Sequence, residues 1–496
     1  MTSSSRIFLR ACCLLIAALG VSQAAEAQNR FDALRFSTQY PAGDAANIAG
    51  SAAAATYIDY GSVLQNPATL GLAEHSSFNI GLGLRDVSED ADYLGSINSF
   101  DDTQTRFTNV GFAYALPTVQ GSLVIGGGYN QTMDFNRAYR LNGFNRRSSI
   151  TDLFFDNSFY FDTAFNAFAI EEDDFGQFPV FRPFPEEPFQ GISQTANVVE
   201  RGQLGEFTLS LGTEFLPGMF VGATLGAPTG SYSYERNFLE RDTEGLFGPL
   251  ETEIDGQAFT IPAPDNVTLE ETVDADITGF SARLGLLYEV LPFLNIGASY
   301  ALPTRYSIDE SFSVDIRTQY EDGEAEADGF NGENSYEIKT PSRLILGLAT
   351  QNLPVNLSVS AERVGYGSIE FRDFGDLDFE LQQNEAIRED FDDVINFRAG
   401  LSLDILDAAV PRIGYAYLPS ASTTNDEPVQ FLSGGLRLGV NQNFSLDIAL
   451  QYAFFDDEQV VYEHFNYERN DGSFRQERVS TSVERFHAVV GANIRF

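Results

Sequence analysis

The sequence predicts an all-β protein, a transmembrane up-and-down antiparallel β-barrel of about 14 strands with an N-terminal hatch in its lumen. Three observations carry this expectation. Apolar and polar residues alternate with a period of two in segments about ten residues long, the length a tilted strand needs to cross a bilayer. Connections between these segments alternate between short turns and longer acidic stretches. Beyond the first residues, no apolar run approaches the roughly 18 residues of a membrane-spanning helix.

The N-terminus separates from the rest. Arg6 and Arg10 precede an apolar run from Ala11 to Val21, and Ala25-Glu26-Ala27 follows as a small-x-small cleavage site. This predicts a signal peptide over residues 1–27, because the run is too short to cross roughly 30 Å of hydrocarbon as a retained helix. Cys12 and Cys13 lie inside it, and Arg10 and Ala11 before them do not make a lipoprotein setting. The exported chain then has no thiol, so a large core or a closed ladder must hold it together.

The barrel is expected over residues 77–496. Fourteen segments begin near residues 77, 105, 121, 204, 218, 278, 293, 335, 353, 393, 409, 429, 443 and 478. In the last, Phe486, Ala488, Val490, Ala492, Ile494 and Phe496 share one face, while Arg485, His487, Gly491, Asn493 and Arg495 share the other. One face suits lipid and the other water. Short turns such as Leu216-Pro217-Gly218 follow the even-numbered strands, and longer acidic loops are expected after the odd ones. That asymmetry belongs to an outer-membrane barrel with both termini in the periplasm of a Gram-negative cell, and closure removes every exposed edge. Pro303 would interrupt the seventh strand and implies a bulge or an early end. With no Trp, an interfacial girdle must come from the 21 Tyr and 43 Phe.

Two regions stand outside the alternation. Residues 28–76 hold a small-residue stretch from Ala42 to Ala55 and then Asn66-Pro67-Ala68, and are long enough to plug the lumen. The long extracellular loops are expected at 139–201 and 237–274. Between residues 151 and 190 the first holds eleven Phe interleaved with acids such as Glu171 to Asp174. Phe161, Phe165 and Phe168 have the spacing of one helix face. An external surface that captures apolar molecules and simple packing of the loop on itself are both consistent with them. Gly126, Gly127 and Gly128 likewise admit two readings, a bulge in the third strand or room for the plug.

A net charge of -41 repels nucleic acid, so that class of partner is excluded. The same charge fits a solvated acidic surface, or loops bridged by divalent cations. Nucleophilic catalysis needs a base beside the nucleophile, and the three histidines, His75, His464 and His487, sit in no hydrolase motif. Spacings for a His/Cys metal site, a calcium loop or a phosphate-binding glycine loop are missing too. The expectation is a non-enzyme without metal or cofactor.

On Asn66-Pro67-Ala68, the small-residue stretch before it, Leu225-Gly226-Ala227-Pro228 with Ser231-Tyr232-Ser233-Tyr234-Glu235-Arg236, and the terminal Phe496, the chain resembles the FadL-type long-chain fatty-acid transporters and their aromatic-hydrocarbon-transporting relatives. The resemblance covers most of the chain by layout and only these short stretches by residue. It implies passive, hatch-gated uptake of a hydrophobic small molecule by a monomer set among outer-membrane lipid and lipopolysaccharide. It also implies a kink in the third strand, near Gly126 to Gly128, that opens a lateral route held at rest by Asn66, Pro67 and Ala68. Substrate-pocket residues do not transfer. A non-transport role in protein secretion is the alternative, and a general aqueous porin fits poorly because a plug would block the water path.

Overall fold

The computed structural model describes residues 29–496 except 185–186, 322, 324, 405–407 and 466–473, so the expected signal peptide lies outside the described residues. The barrel strands are β1 (Ser77–Tyr93), β2 (Ser96–Leu116), β3 (Leu123–Asp134, then Arg137–Asn145), β4 (Ile192–Leu216), β5 (Met219–Arg241), β6 (Pro264–Leu291), β7 (Leu294–Ala301, then Arg305–Tyr320) and β8 (Ala325–Lys339, then Arg343–Thr350). The circuit continues through β9 (Val355–Gly365), β10 (Asp393–Leu403), β11 (Ala409–Leu418), β12 (Val429–Gly439), β13 (Phe444–Phe465) and β14 (Phe474–Arg495). Neighbours pair antiparallel throughout, and β1 meets β14 from Ser77↔Arg495 to Asp92↔Ser480, which closes the 14-strand barrel.

Burial is inside out relative to a soluble protein. On β1, Phe78, Ile80, Leu82 and Leu84 are 36–58% exposed on the outer surface, while Ser77 and Asn79 are buried inside. Strands β6, β8, β13 and β14 repeat this with Leu284 and Leu286, Leu344 and Leu346, Ile448 and Leu450, and Val490 and Ile494. These side chains form the continuous apolar band of a transmembrane barrel, roughly 25 Å tall. Above it the pattern inverts. The outer face of β1 becomes Asp86, Ser88, Asp90 and Asp92, and its inner face becomes Val87, Ala91 and Tyr93. Strands that leave the bilayer meet water outside, so they bury their apolar residues inward.

That inversion corrects the expected loop layout. Between β1 and β2 there is no acidic loop but a two-residue turn, Leu94-Gly95, closing a continuous ladder to Tyr93↔Ser96. Residues 237–241 and 264–274, expected as loop, pair as strand, as do 139–145 with 192–198. Among the described residues, long connections remain at 146–191, with α-helices Ile150–Asp156 and Ser158–Asn166, then at 242–263, and at 366–392, with helix Leu377–Asp390. Short turns do follow the even-numbered strands, as at Pro217-Gly218 and Pro292-Phe293.

Pro303 breaks β7, and Pro341 breaks β8 beside it. The two gaps heal each other, with the Thr340 amide donating to the Thr304 carbonyl (2.9 Å) and the Thr304 amide to Thr340 Oγ1 (3.0 Å). The paired interruptions thus satisfy both threonine amides at this point.

Candidate functional site

Residues 29–76 run inside the barrel. Helix α1 (Arg30–Ser37) is capped by Asn29, and helix α2 (Ala45–Gly50) by Asp44, whose side chain accepts from the Asn47 amide at 3.0 Å. Two 3-10 turns follow, Tyr60–Leu64 capped by Asp59 and Pro67–Leu72 capped by Asn66. Asp, Asn and Pro at these positions each satisfy or remove a terminal N–H. Ala45, Ala46, Ala49 and Ala52 to Ala55 are at most 2% exposed, since only small side chains let the hatch backbone fit against the wall.

The wall is shaped to receive it. Gly212, Gly222, Gly285, Gly297, Gly347, Gly400 and Gly414 lie three to six residues from the periplasmic ends of their strands and form a collar at one height. A Cβ at Gly212 would stand 2.5 Å from the Gly71 amide, and at Gly347 2.6 Å from Ala54 Cβ. At Gly222 it would overlap the Pro67 carbonyl, at Gly285 Asn66 Oδ1, and at Gly400 the Gly50 carbonyl. A methyl group at any of them has nowhere to go without moving the hatch.

Polar bonds fasten the hatch to the collar. Asn66 is fully buried, and its Nδ2 donates to the Ala54 carbonyl (2.7 Å) and across to the Leu286 carbonyl of β6 (3.1 Å), while Oδ1 accepts from the Ala68 amide (3.0 Å). Asp59 accepts from Arg437 of β12 (2.8 Å) and from Asn493 of β14 (2.7 Å). Arg437 in turn donates to both oxygens of Asp447 at 2.8 and 2.9 Å, so one guanidinium ties a hatch carboxylate to a wall carboxylate. Asp44 accepts from the Gly61 amide (2.9 Å) and Asn47 Nδ2 (2.8 Å). Burial, and then the Asp59 charge, push its carboxyl up to about 7.

The expected placement of Asn66, Pro67 and Ala68 beside the third strand is corrected here. They seat against β5, β6 and β7, where Gly222, Gly285 and Gly297 leave room. Tyr60 occupies the place facing β2 and β3. Its ring fills the space beside Gly111, Gly126 and Gly128, and its hydroxyl hydrogen-bonds to Thr208 Oγ1 at 2.9 Å. Gly126, Gly127 and Gly128 themselves stay in an unbroken ladder, paired with Ala113, Phe112 and Gly111. Room for the hatch is the reading this geometry favours at Gly126 and Gly128, and no bulge forms there.

The irregularity of β3 lies higher. Its ladder with β2 ends at Asn109↔Asn130, a register shift falls between Gln131 and Met133, and the strand breaks at Phe135-Asn136. Beyond the break Arg137–Asn145 pairs with β4, while β2 pairs with β1. The wall between β2 and β3 is here a seam without backbone ladder. Side chains close it. Arg106 donates to Asn136 Oδ1 (2.9 Å) and Gln203 Oε1 (2.9 Å), Asp134 holds Arg85 (2.7 Å) and the Asn136 amide (3.1 Å), and Arg137 holds Glu89 (2.5 Å). Along its lower margin Phe107 stacks on Tyr129 (6.0 Å), and Tyr129 meets Phe207 at a tilt (5.0 Å).

Behind the seam lies an apolar cluster. Phe36 of α1 meets Phe135 at the break (5.4 Å) and Tyr232 of β5 (5.5 Å), in a cluster with Ala33, Met133, Leu204, Ile277, Tyr306 and Ile308. Arg35 pairs with Glu200 (3.4 Å) and lies over the Tyr232 ring (4.9 Å). The first helix of the hatch therefore touches the strand break directly.

In the extracellular loop, Phe161 and Phe165 stack at 6.4 Å with planes 7° apart. Phe168 falls beyond the helix, which ends at Asn166, and adopts a left-handed backbone, so the expected three-residue face holds two. Both stacked rings also pack against the loop core around Phe154 and Ile170. The collar and the seam went unnoticed in the sequence, although a glycine near the periplasmic end of strand after strand was the signal for the first.

No protein-family model and no curated protein matches the sequence. Solved structures match in fold. The toluene transporter TodX of Pseudomonas putida is similar over 92% of this chain and 99% of that one, with a TM-score of 0.53 at 13% identity. A Pseudomonas aeruginosa FadL homologue is similar over 92% and 99%, with a TM-score of 0.53 at 12% identity. At such identities the likeness is one of architecture. The chain has the fold of these FadL-type barrels, and with its apolar band it is an outer-membrane β-barrel.

Proposed function

We propose that this barrel conducts hydrophobic compounds, such as long-chain fatty acids or aromatic hydrocarbons, passively through the outer membrane, with residues 29–76 as the gate. The observation that carries the reading is the seam: where the β2–β3 ladder stops, an apolar cluster in the lumen and the lipid-facing band are separated by side chains alone. In lipid a wall normally pairs every backbone group. A segment stitched by Arg106, Asn136, Asp134 and Arg137 exchanges rotamers on a timescale that a ladder cannot.

Each part has a physical task. A greasy solute cannot cross the polar saccharide layer unaided, and burial against Phe161, Phe165 and the exposed Phe168 gains about 0.8 kcal/mol per methylene. Below the loop, the cluster around Phe36 and Phe135 offers the next apolar surface. Water and ions are refused because Asn66, Pro67, Ala68 and the alanine stretch fill the collar. The barrel works as a monomer among lipid and lipopolysaccharide, since its band is continuous around the circuit. The test is uptake of labelled oleate and toluene by cells with and without the protein. Equal uptake of both solutes would remove the conduit and leave the barrel.

A further inference from the structure

A cavity of about 220 Å3 lies outside the bilayer, between the long connections that follow β3 and β5. It is smaller than the pockets of drug-sized ligands, so its occupant is small. Phe178 and Phe181 of the first connection line it with Phe247 of the second and Tyr320 at the upper end of β7. Phe181 meets Phe247 at 5.1 Å, so rings from both connections close on one space. A carboxylate is set among them. In the hairpin Ile170–Asp173 and Gly176–Pro179, Glu171 pairs with Phe178, so acid and ring share one face. Among the described residues Glu171 has no cationic partner. Its Oε1 accepts from the Tyr320 hydroxyl at 2.7 Å, but that hydroxyl stands equally at 2.7 Å from the Phe168 carbonyl and has one proton to give. Burial lifts the Glu171 carboxyl above its usual range, with the Tyr320 bond pulling the other way. Arg182 also reaches the cavity, yet it is engaged. It donates to both oxygens of Asp152 (2.9 and 3.1 Å) and lies over the Phe189 ring at 4.5 Å, so its charge is matched and one cation already rests on a ring of this wall. Ring faces are electronegative and the carboxylate carries a full charge. A cation with an apolar skin satisfies both, whereas a strongly hydrated one satisfies the second alone.

We infer that this extracellular cavity binds a small quaternary ammonium group, with Glu171 against the positive charge and Phe178, Phe247 and Tyr320 around its methyl groups. The net charge of -41 draws such cations toward the surface, and the rings select among them. The ammonium group comes either on a free solute or at the head of a lipid. The inference does not rest on the conduit, because the cavity belongs to connections outside the bilayer.

The experiment uses the full chain in phosphatidylglycerol nanodiscs, which carry no ammonium head. Radiolabelled choline is displaced by choline, by its uncharged isostere 3,3-dimethylbutanol and by phosphocholine, all at one ionic strength. Choline is expected to compete roughly tenfold more strongly than the alcohol. Glu171→Gln removes most of that preference, and Phe247→Leu, which keeps apolar bulk without a ring face, removes part of it. Glu172→Gln, at the exposed neighbour paired with Gln177, leaves it intact. Heat-modifiable migration on gels shows that each variant is a folded barrel. Phosphocholine weaker than choline assigns the ammonium to a free solute, and phosphocholine equal or tighter assigns it to a lipid head; both uphold the site. If the alcohol competes as well as choline, or Glu171→Gln keeps the full preference, the cavity does not recognise the charge and the inference is overturned. Absence of displaceable binding makes the cavity a by-product of loop packing and overturns it as well. The conduit, which is read by uptake, stands or falls separately.

Discussion

The periplasmic half of the lumen and its extracellular half hold the same hatch in opposite ways. Below, backbone lies against backbone across the glycine collar, and Arg437 and Asn66 lock hatch to wall through buried hydrogen bonds. Above, α1 is held by rings, Phe36 on Phe135 and Tyr232, beside a seam that has lost its ladder. Close-packed backbone has no alternative arrangement within reach, whereas aromatic contacts and charged side chains have several rotamers. The collar is a fixed seat and the seam is where movement belongs.

The sharpest way to break this contrast is to fill the seat. Gly285→Leu drives a side chain into Asn66 and the Ala68 amide, and the hatch has to leave. The expected outcome is steady ion current in a planar bilayer where wild type passes none. Next in size is Arg437→Met, which leaves Asp59 and Asp447 buried without their shared cation. About 3–5 kcal/mol of hatch seating should be lost, read as a lower temperature at which current appears. Asp59→Ala should cost less, because the Arg437–Asp447 pair survives it.

Phe36→Ala tests the other half. Removing a buried ring costs about 3 kcal/mol, yet its effect should fall on solute uptake without opening an ion path, since the collar is untouched. Current in this variant would mean that the two halves are one cooperative unit. The smallest effect concerns pH. Asp44 in the seat titrates at about 7, above its usual value of 3.8, so the native hatch binds more protons than the released one between those values. Seating contributed by Asp44 is therefore present in full below about pH 4, declines as pH rises through 7, and is level above that. Asp44→Asn should flatten the temperature of current onset across that window.

How much of this was legible in the sequence follows from where each residue meets lipid. The bilayer part of every strand announced itself, because Phe78 to Leu84 or Phe486 to Ile494 alternate against polar partners. The outer extensions did not: Asp86, Asp90 and Asp92 face water from a paired strand and look like loop. Asn66-Pro67-Ala68 marked the hatch, but its neighbours come from strands more than 150 residues away, such as Gly222 and Gly285, and a one-dimensional pattern does not show that. The glycines at 126 and 128 fit a bulge or room for the plug equally well in the sequence, and only the position of the Tyr60 ring decides between the two. The true break at Phe135-Asn136 follows from no breaker residue. It depends on Asp134, Arg106 and Gly202 meeting across three strands.

The most direct measurement is uptake of labelled toluene and oleate by cells whose barrel lacks Phe135 and Asn136, a two-residue deletion that preserves the inward and outward alternation and joins the two halves of β3 into one strand that closes against β2. If the seam is the passage, uptake falls to that of cells without the protein, while the barrel still assembles and the hatch still blocks ion current. Undiminished uptake through the repaired wall would place the passage elsewhere.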